Sequence, residues 1–312
     1  MLRQAKNKVR IEGILSEIDL KYGSLMKNGK PIDTIGGHIK VLVDREIGGE
    51  IQRNEIPVHM FAYKLKNNGD PNPAYTSIET VMNEYVSIAA AGGETGADKV
   101  RITGAQLGMN EYYNQNGQLV SFPRVRASFV SKAIGEFKPE ASFELEVAVS
   151  NIAYEVDADG IEVEDEHKHK RLNVTAILPQ YGEKIDIIKL VATTPNVIDG
   201  INSCWEKDQS YAVIGRLNFT SKTETIVEEI GFGEPVTKSR TTNVSDLVIT
   251  GGSQEPLEGD AGFDVDDIIK AMAERKQRLE ELKNKNKGKG TPVSLEQASK
   301  KSIAEAGMDL GF

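Results

Sequence analysis

Apolar and polar positions alternate over residues 9–18, 38–43 and 55–61, which predicts three half-buried strands near the start of the chain. The period then changes. Ile78, Val81, Met82 and Tyr85 recur at helical intervals behind Pro73, so residues 73–85 form the best predicted helix of this half. A glycine-rich stretch, residues 91–96, leads into residues 99–104, and a last pair of strands, 104–113 and 119–131, is joined by the turn 114–117. The same order recurs downstream. Strands are predicted over 142–152, 171–178 and 183–191, a short proline-led helix over 195–201, and strands over 211–219 and 244–250.

Three strands, a short helix, a strand with an internal glycine and a final strand make up the plan of a five-stranded OB barrel. Gly104 and Gly215 hold matching places in the two units, and a strand-interior glycine marks the bend that barrel closure needs. The reading is all-β: two consecutive OB-like five-stranded barrels, residues 1–138 and 139–252, followed by a charged α-helical C-terminal tail, residues 253–312. Spanning the boundary of barrel and tail, residues 251–259 read as a flexible acidic linker. Residues 263–283 read as a helix with a narrow apolar stripe of Ile268, Met272, Leu279 and Leu282. A lysine-glycine tract and a last short helix over 294–306 precede the end of the chain.

Composition narrows the classes. The single cysteine, Cys204, excludes an internal disulfide and fits a reducing compartment. Residues 1–10 are polar and basic with no secretory pattern, and no apolar run has the length of a bilayer, so the expected location is cytoplasmic with no membrane partner. The net charge of −9 counts against a nucleic-acid partner as a whole-chain average. The acid is segregated over 162–166, 224–229 and 255–267, however, which leaves room for a basic groove elsewhere.

Catalytic chemistry finds little support. Four histidines stand in no recognisable catalytic context, and the glycines at 92, 93 and 96 lack the Gly-Lys-Ser/Thr of a phosphate loop. Strand alternation would put His167 and His169 on one face, but the lysines beside them and the lack of a second ligand cluster read as a solvated hairpin tip. No metal and no cofactor are expected. Single-strand binding asks for less: cations that track phosphates and rings on which bases stack. The first unit offers His59, Phe61 and Tyr63 on one strand face, then Lys64 and Lys66. Around its last hairpin it offers Tyr112, Tyr113 and Phe122, with Arg124 and Arg126 sharing a face. The second unit offers Lys168, Lys170 and Arg171, then Tyr181 and Lys184, then Arg216, Phe219 and Lys222. Phe61, Phe122, Phe129 and Phe219 are equally open to a reading as core, and Trp205 reads as the plug of a barrel end.

With two such units and a charged tail, the chain resembles the phage-type single-stranded DNA-binding proteins with tandem OB folds, over roughly residues 5–250 and at the level of element order. The resemblance implies a non-catalytic, sequence-tolerant protein that protects or organises single-stranded DNA in phage replication or recombination, in the bacterial host cytoplasm. In that family a terminal aromatic residue with neighbouring carboxylates docks into replication and repair proteins. Asp309, Leu310 and Phe312 take those roles by position, with one aspartate where the family has an acidic run and a glycine before the final Phe. Two other readings stay open: a structural or adaptor protein of a phage virion, and a protein-binding scaffold whose helix over 263–283 docks a partner groove.

Overall fold

The computed structural model describes residues 1–27, 29–47, 50–157, 159–164, 169–228 and 236–287. The first unit contains β1 (Asn7–Lys27), β2 (Lys30–Leu42), the short strands β3 (Arg45–Ile47) and β4 (Glu50–Gln52), and β5 (Glu55–Tyr63). Two helices follow, α1 (Pro73–Glu84) and α2 (Ile88–Ala91), and then β6 (Lys99–Tyr113), β7 (Leu119–Arg126) and the two-residue β8 (Ser131–Lys132). The second contains β9 (Glu140–Tyr154), β10 (Leu172–Pro179), β11 (Ile185–Ala192), α3 (Pro195–Cys204), β12 (Ser210–Glu228) and β13 (Val236–Gly252). The helix α4 (Val265–Lys287) ends the described chain, and no described helix is long and apolar enough to cross a membrane.

Strand pairing closes each set of five on itself. In the first, β1 pairs with β2, β2 with β5, β5 in parallel with β7, β7 with β6, and β6 back with β1. In the second, β9, β10, β11, β13 and β12 repeat that circuit, with β11 and β13 the parallel pair. A closed circuit with a single parallel pairing, and a helix between the third and fourth strands, is the OB arrangement. The strands run longer than their apolar alternation predicts, because β1–β2 and β12–β13 continue as paired ribbons beyond the barrels. Each barrel core takes the alternate residues of its strands. Ile56, Val58 and Met60 face inward in the first, and Tyr211, Val213 and Leu217 in the second.

The helices seal the ends. Asn72 caps α1 by accepting the Ala74 N–H at 3.1 Å, Pro73 presets its first turn, and Tyr75, Ile78 and Val81 are buried. Behind α3, Trp205 stacks on Tyr211 with 4.9 Å between ring centroids and donates its Nε1 hydrogen to the Ser253 carbonyl at 2.8 Å. It plugs the barrel, as the sequence suggests.

The two barrels are joined by main chain and by a few side chains. Residues 7–12 of β1 pair with 140–145 of β9, so one sheet runs through both units. Asn54 donates to the Leu217 carbonyl at 2.9 Å and accepts the Phe219 N–H at 2.7 Å. Gln180 donates to the Leu107 carbonyl at 3.0 Å, and Asp186 accepts the Met109 N–H at 3.1 Å. The tail departs from expectation here. Residues 251–259 are not a loose linker, because Ser253 and Leu257 donate their N–H groups to the carbonyls of Ala212 and Ser210 at 2.9 and 2.7 Å. The helix beyond them packs on β11 and β6, burying Ile268, Ala271 and Leu279, while its Arg275 pairs with Glu111 of β6. It straps one barrel to the other.

Candidate nucleic-acid interface

The outer face of the first barrel is built by the phase of β5 and β7. Because Val58, Met60 and Ala62 point into the core, His59, Phe61 and Tyr63 stand outside and are half-buried. On β7, inward Val125 leaves Phe122, Arg124 and Arg126 on the outer side. The parallel pairing sets His59 opposite Arg126, so the two sets run away from each other from that point. The result is a linear run with Tyr63 and Phe61 at one end, His59, Arg126 and Arg124 at the centre, and Phe122 and Tyr112 at the other. Strand rise gives it a length of roughly 25 Å.

Each end is a ring pair. Phe61 and Tyr63 meet edge to face at 5.2 Å, and Phe61 lies over Gly36, where an added Cβ would come within 2.9 Å of the ring. Tyr112 and Phe122 meet edge to face at 6.3 Å, 38% and 39% exposed. Partly exposed rings already held against a neighbour offer stacking surface at little ordering cost.

The centre is cationic and short of acid. Arg124 is only 7% exposed, and its two contacts are Asn110 Oδ1 at 3.4 Å and His59 Nδ1 at 3.2 Å. A guanidinium only donates, so His59 Nδ1 is an unprotonated acceptor. Among the described residues no carboxylate reaches ion-pair distance of Arg124, and the Nε atoms of Arg124 and Arg126 are both buried without a partner. Burial, with the charge of Arg126 beside it, pulls the Arg124 guanidinium down to about 10. An unpaired buried guanidinium costs free energy unless an anion arrives to meet it.

The same surroundings act on His59. Burial, then the charges of Arg124, His38 and Arg126, lower its pKa to about 3. A histidine neutral in the fold but free to protonate when unfolded makes stability fall as pH drops below about 6.5, by about 1.4 kcal/mol per unit. Replacing His59 by Gln should flatten that acid limb, as read from urea midpoints between pH 7 and 4. Equal slopes for the two proteins would show that His59 does not carry the dependence.

The flanking lysines and the second barrel differ from the sequence reading. Lys64 pairs with Asp33 at 3.0 Å, and Lys66 is exposed on the loop beyond. Tyr113 lies at the end of the strap helix, with Lys283 Nζ 5.7 Å from its ring centroid. Phe219 belongs to the core, in phase with Tyr211, Val213 and Leu217, and has no face for a base. Arg171 is locked between Glu155 at 2.7 Å and Asp246 at 3.0 Å, and Lys189 holds the other Glu155 oxygen at 2.9 Å. Lys170 pairs with Glu162 at 2.7 Å. Tyr181 is 62% exposed in the β10–β11 turn, with Lys184 in the same turn, and Arg216 is half-buried on the outer side of β12. Lys168, Asp309, Leu310 and Phe312 lie outside the described residues, as does the side chain of Lys222. Among the described residues, the rings and arginines of the first barrel thus share one outer face, whereas Arg171 and Lys170 of the second are held in ion pairs.

Sequence reasoning passed over His38, whose ring lies 6.0 Å from that of His59, and Asn110, which holds Arg124. The alternation of β2 beside β5 was the available signal for His38. Nothing local marks Asn110.

A family model described as YorF matches residues 6–285. No curated protein matches the chain. Among solved structures, it is similar to the wild-type single-stranded DNA binding protein from Thermus aquaticus, at 11% identity and a TM-score of 0.49, with 83% of this chain and 97% of that chain covered. A deletion mutant of the same Thermus aquaticus protein gives 12% identity, a TM-score of 0.48, and coverage of 82% and 97%.

Proposed function

The chain belongs to the YorF family, and we propose that it binds single-stranded DNA without sequence preference on the outer face of its first barrel. One observation carries this reading: a ring pair, an arginine pair with no carboxylate at ion-pair distance among the described residues, and a second ring pair lie in one line on the barrel face. A single strand presents phosphates and unstacked bases alternately, and such a run meets both. Each stacked base contributes ~1–3 kcal/mol, and one barrel of this kind takes about 4–16 nucleotides. The net charge of −9 does not oppose the proposal, since the arginines at the centre face no carboxylate at ion-pair distance among the described residues.

In this reading residues 1–138 do the binding, residues 139–252 brace them, and the strap helix fixes the angle between the two. The role is binding and not catalysis, and it calls for no cofactor. On the resemblance to phage-type proteins, we read its work as protecting or organising DNA during replication or recombination, with Asp309, Leu310 and Phe312 as the contact to protein partners.

A titration of the full chain with oligothymidylate, followed by quenching of tyrosine fluorescence, tests the proposal. Binding should weaken with salt at a log–log slope of about −0.7 per phosphate neutralised. Duplex DNA of the same length should bind far more weakly, because its base faces are not open to the rings. Equal affinity for duplex, or an affinity indifferent to salt, would end the reading.

A further inference from the structure

A second pair of arginines meets where the barrels join. Arg45 opens the β3–β4 hairpin of the first barrel and stands opposite Gln52, two residues before Asn54. Asn54 grips the backbone of Leu217 and Phe219, which fixes this hairpin against β12 beside Arg216. Arg216 is half-buried, its Nε is buried without a partner, and burial together with the charge of Arg45 pulls it down to about 10. Of the acids nearby, Glu94 pairs with Arg53 at 2.6 Å, and Asp44 lies 3.6 Å from Arg53 with its Oδ1 buried and without a hydrogen bond. An exposed Arg45 and a half-buried Arg216 thus carry like charge on the two sides of the seam that Asn54 holds together, and among the described side chains no carboxylate lies at ion-pair distance of either.

We infer that Arg45 and Arg216 form a phosphate subsite at the seam between the barrels, filled by the backbone of a strand that continues beyond the first-barrel face. The argument rests on the function proposed above for its ligand, though the pair itself does not. An arginine fork matches a phosphate oxygen pair in geometry, and a single phosphate between the two guanidiniums removes both the repulsion and the orphaned donor. Because one arginine comes from each barrel, the subsite exists only while the barrels hold their mutual position. A strand lying across it reads the assembled molecule and not either half.

Two measurements on the full chain test this. The first uses inorganic phosphate alone, in a protein already carrying R124Q and R126Q so that the first-barrel face cannot respond. Phosphate should raise its melting temperature above that in chloride of equal ionic strength, and adding R216Q or R45Q should remove the response. In phosphate-free buffer R216Q should melt no lower than its parent, since it deletes a half-buried cation whose Nε has no partner. A drop of equal size in both buffers would make Arg216 a packing residue and overturn the subsite. The second compares oligothymidylates of about 8 and about 20 nucleotides, the shorter within reach of one barrel. R216Q should weaken the longer about tenfold and lower its salt slope by about 0.7, leaving the shorter within about twofold. Equal loss for both lengths, or none for either, overturns the strand path. A phosphate response without any length effect assigns the pair to free phosphate instead. If the parent protein binds no oligonucleotide at all, the proposed function fails, and the phosphate experiment still decides the subsite.

Discussion

Replacing Arg124 and Arg126 together by glutamine should weaken single-strand binding about 100-fold at ~0.1 M salt while leaving the fold at least as stable. The two effects have one cause. Each guanidinium sits partly or wholly out of water with an unpartnered Nε, and the buried Asp186 attracts Arg126 without forming an ion pair, so the free protein carries a cost that an incoming phosphate relieves. Glutamine keeps some hydrogen-bonding capacity for Asn110 and His59 and deletes the charge. The salt slope should fall by about 1.4, two phosphates' worth. Arg171→Gln is the contrast. It leaves Glu155 and Asp246 without their shared cation, which should cost on the order of 3 kcal/mol of stability and change oligonucleotide affinity little. Oligonucleotide titrations paired with urea denaturation separate the two outcomes. Were R124Q/R126Q to bind oligothymidylate like its parent, the first-barrel face would not be the interface.

How far the sequence reached follows from the range of each interaction. Element order and type are local properties, and the repeated succession of strands, helix and glycine-bearing strand was visible in the apolar period alone. So was the shared face of His59, Phe61 and Tyr63, because alternation within one strand needs no partner. Phe219 was legible by the same rule: it keeps step with Tyr211, Val213 and Leu217, and phase sends it inward. Pairing of charges is another matter. Arg171 meets acids 16 and 75 residues away in sequence, and Arg124 meets none, yet both read alike as basic residues in strand-rich sequence. Which arginine is locked and which is free is decided by how strands far apart in sequence come together. The strap helix shows the same division. Of its stripe of Ile268, Met272, Leu279 and Leu282, Ile268 and Leu279 are buried, Leu282 half-buried and Met272 40% exposed, and only the fold supplies Glu111, on the other barrel, as the partner of Arg275.

The matched glycines give the sharpest division between what order reveals and what packing decides. Both stand near irregularities of pairing, Gly104 where the β1–β6 register slips between Val9 and Ile11, and Gly215 where the β12–β13 register slips after Ile214. Their surroundings are opposite. A Cβ on Gly104 would meet nothing within 4 Å, whereas one on Gly215 would lie 2.1 Å from Phe143 Cζ and 2.4 Å from the Val248 carbonyl oxygen. The ring is 1% exposed, inside the core, and the carbonyl belongs to the neighbouring strand, so neither can yield without opening the barrel. Gly215→Ala should therefore cost about 3 kcal/mol or more, a fall in melting temperature of roughly 10 °C, while Gly104→Ala stays within about 0.5 kcal/mol of the parent. Trimming the ring with Phe143→Leu in the Gly215→Ala background should restore only part of the loss, because the contact with the Val248 carbonyl remains. Thermal denaturation followed by circular dichroism reads all three proteins. A Gly215→Ala protein that melts with its parent would mean that β12 does not cross Phe143 and Val248 as closely as the closed second barrel requires.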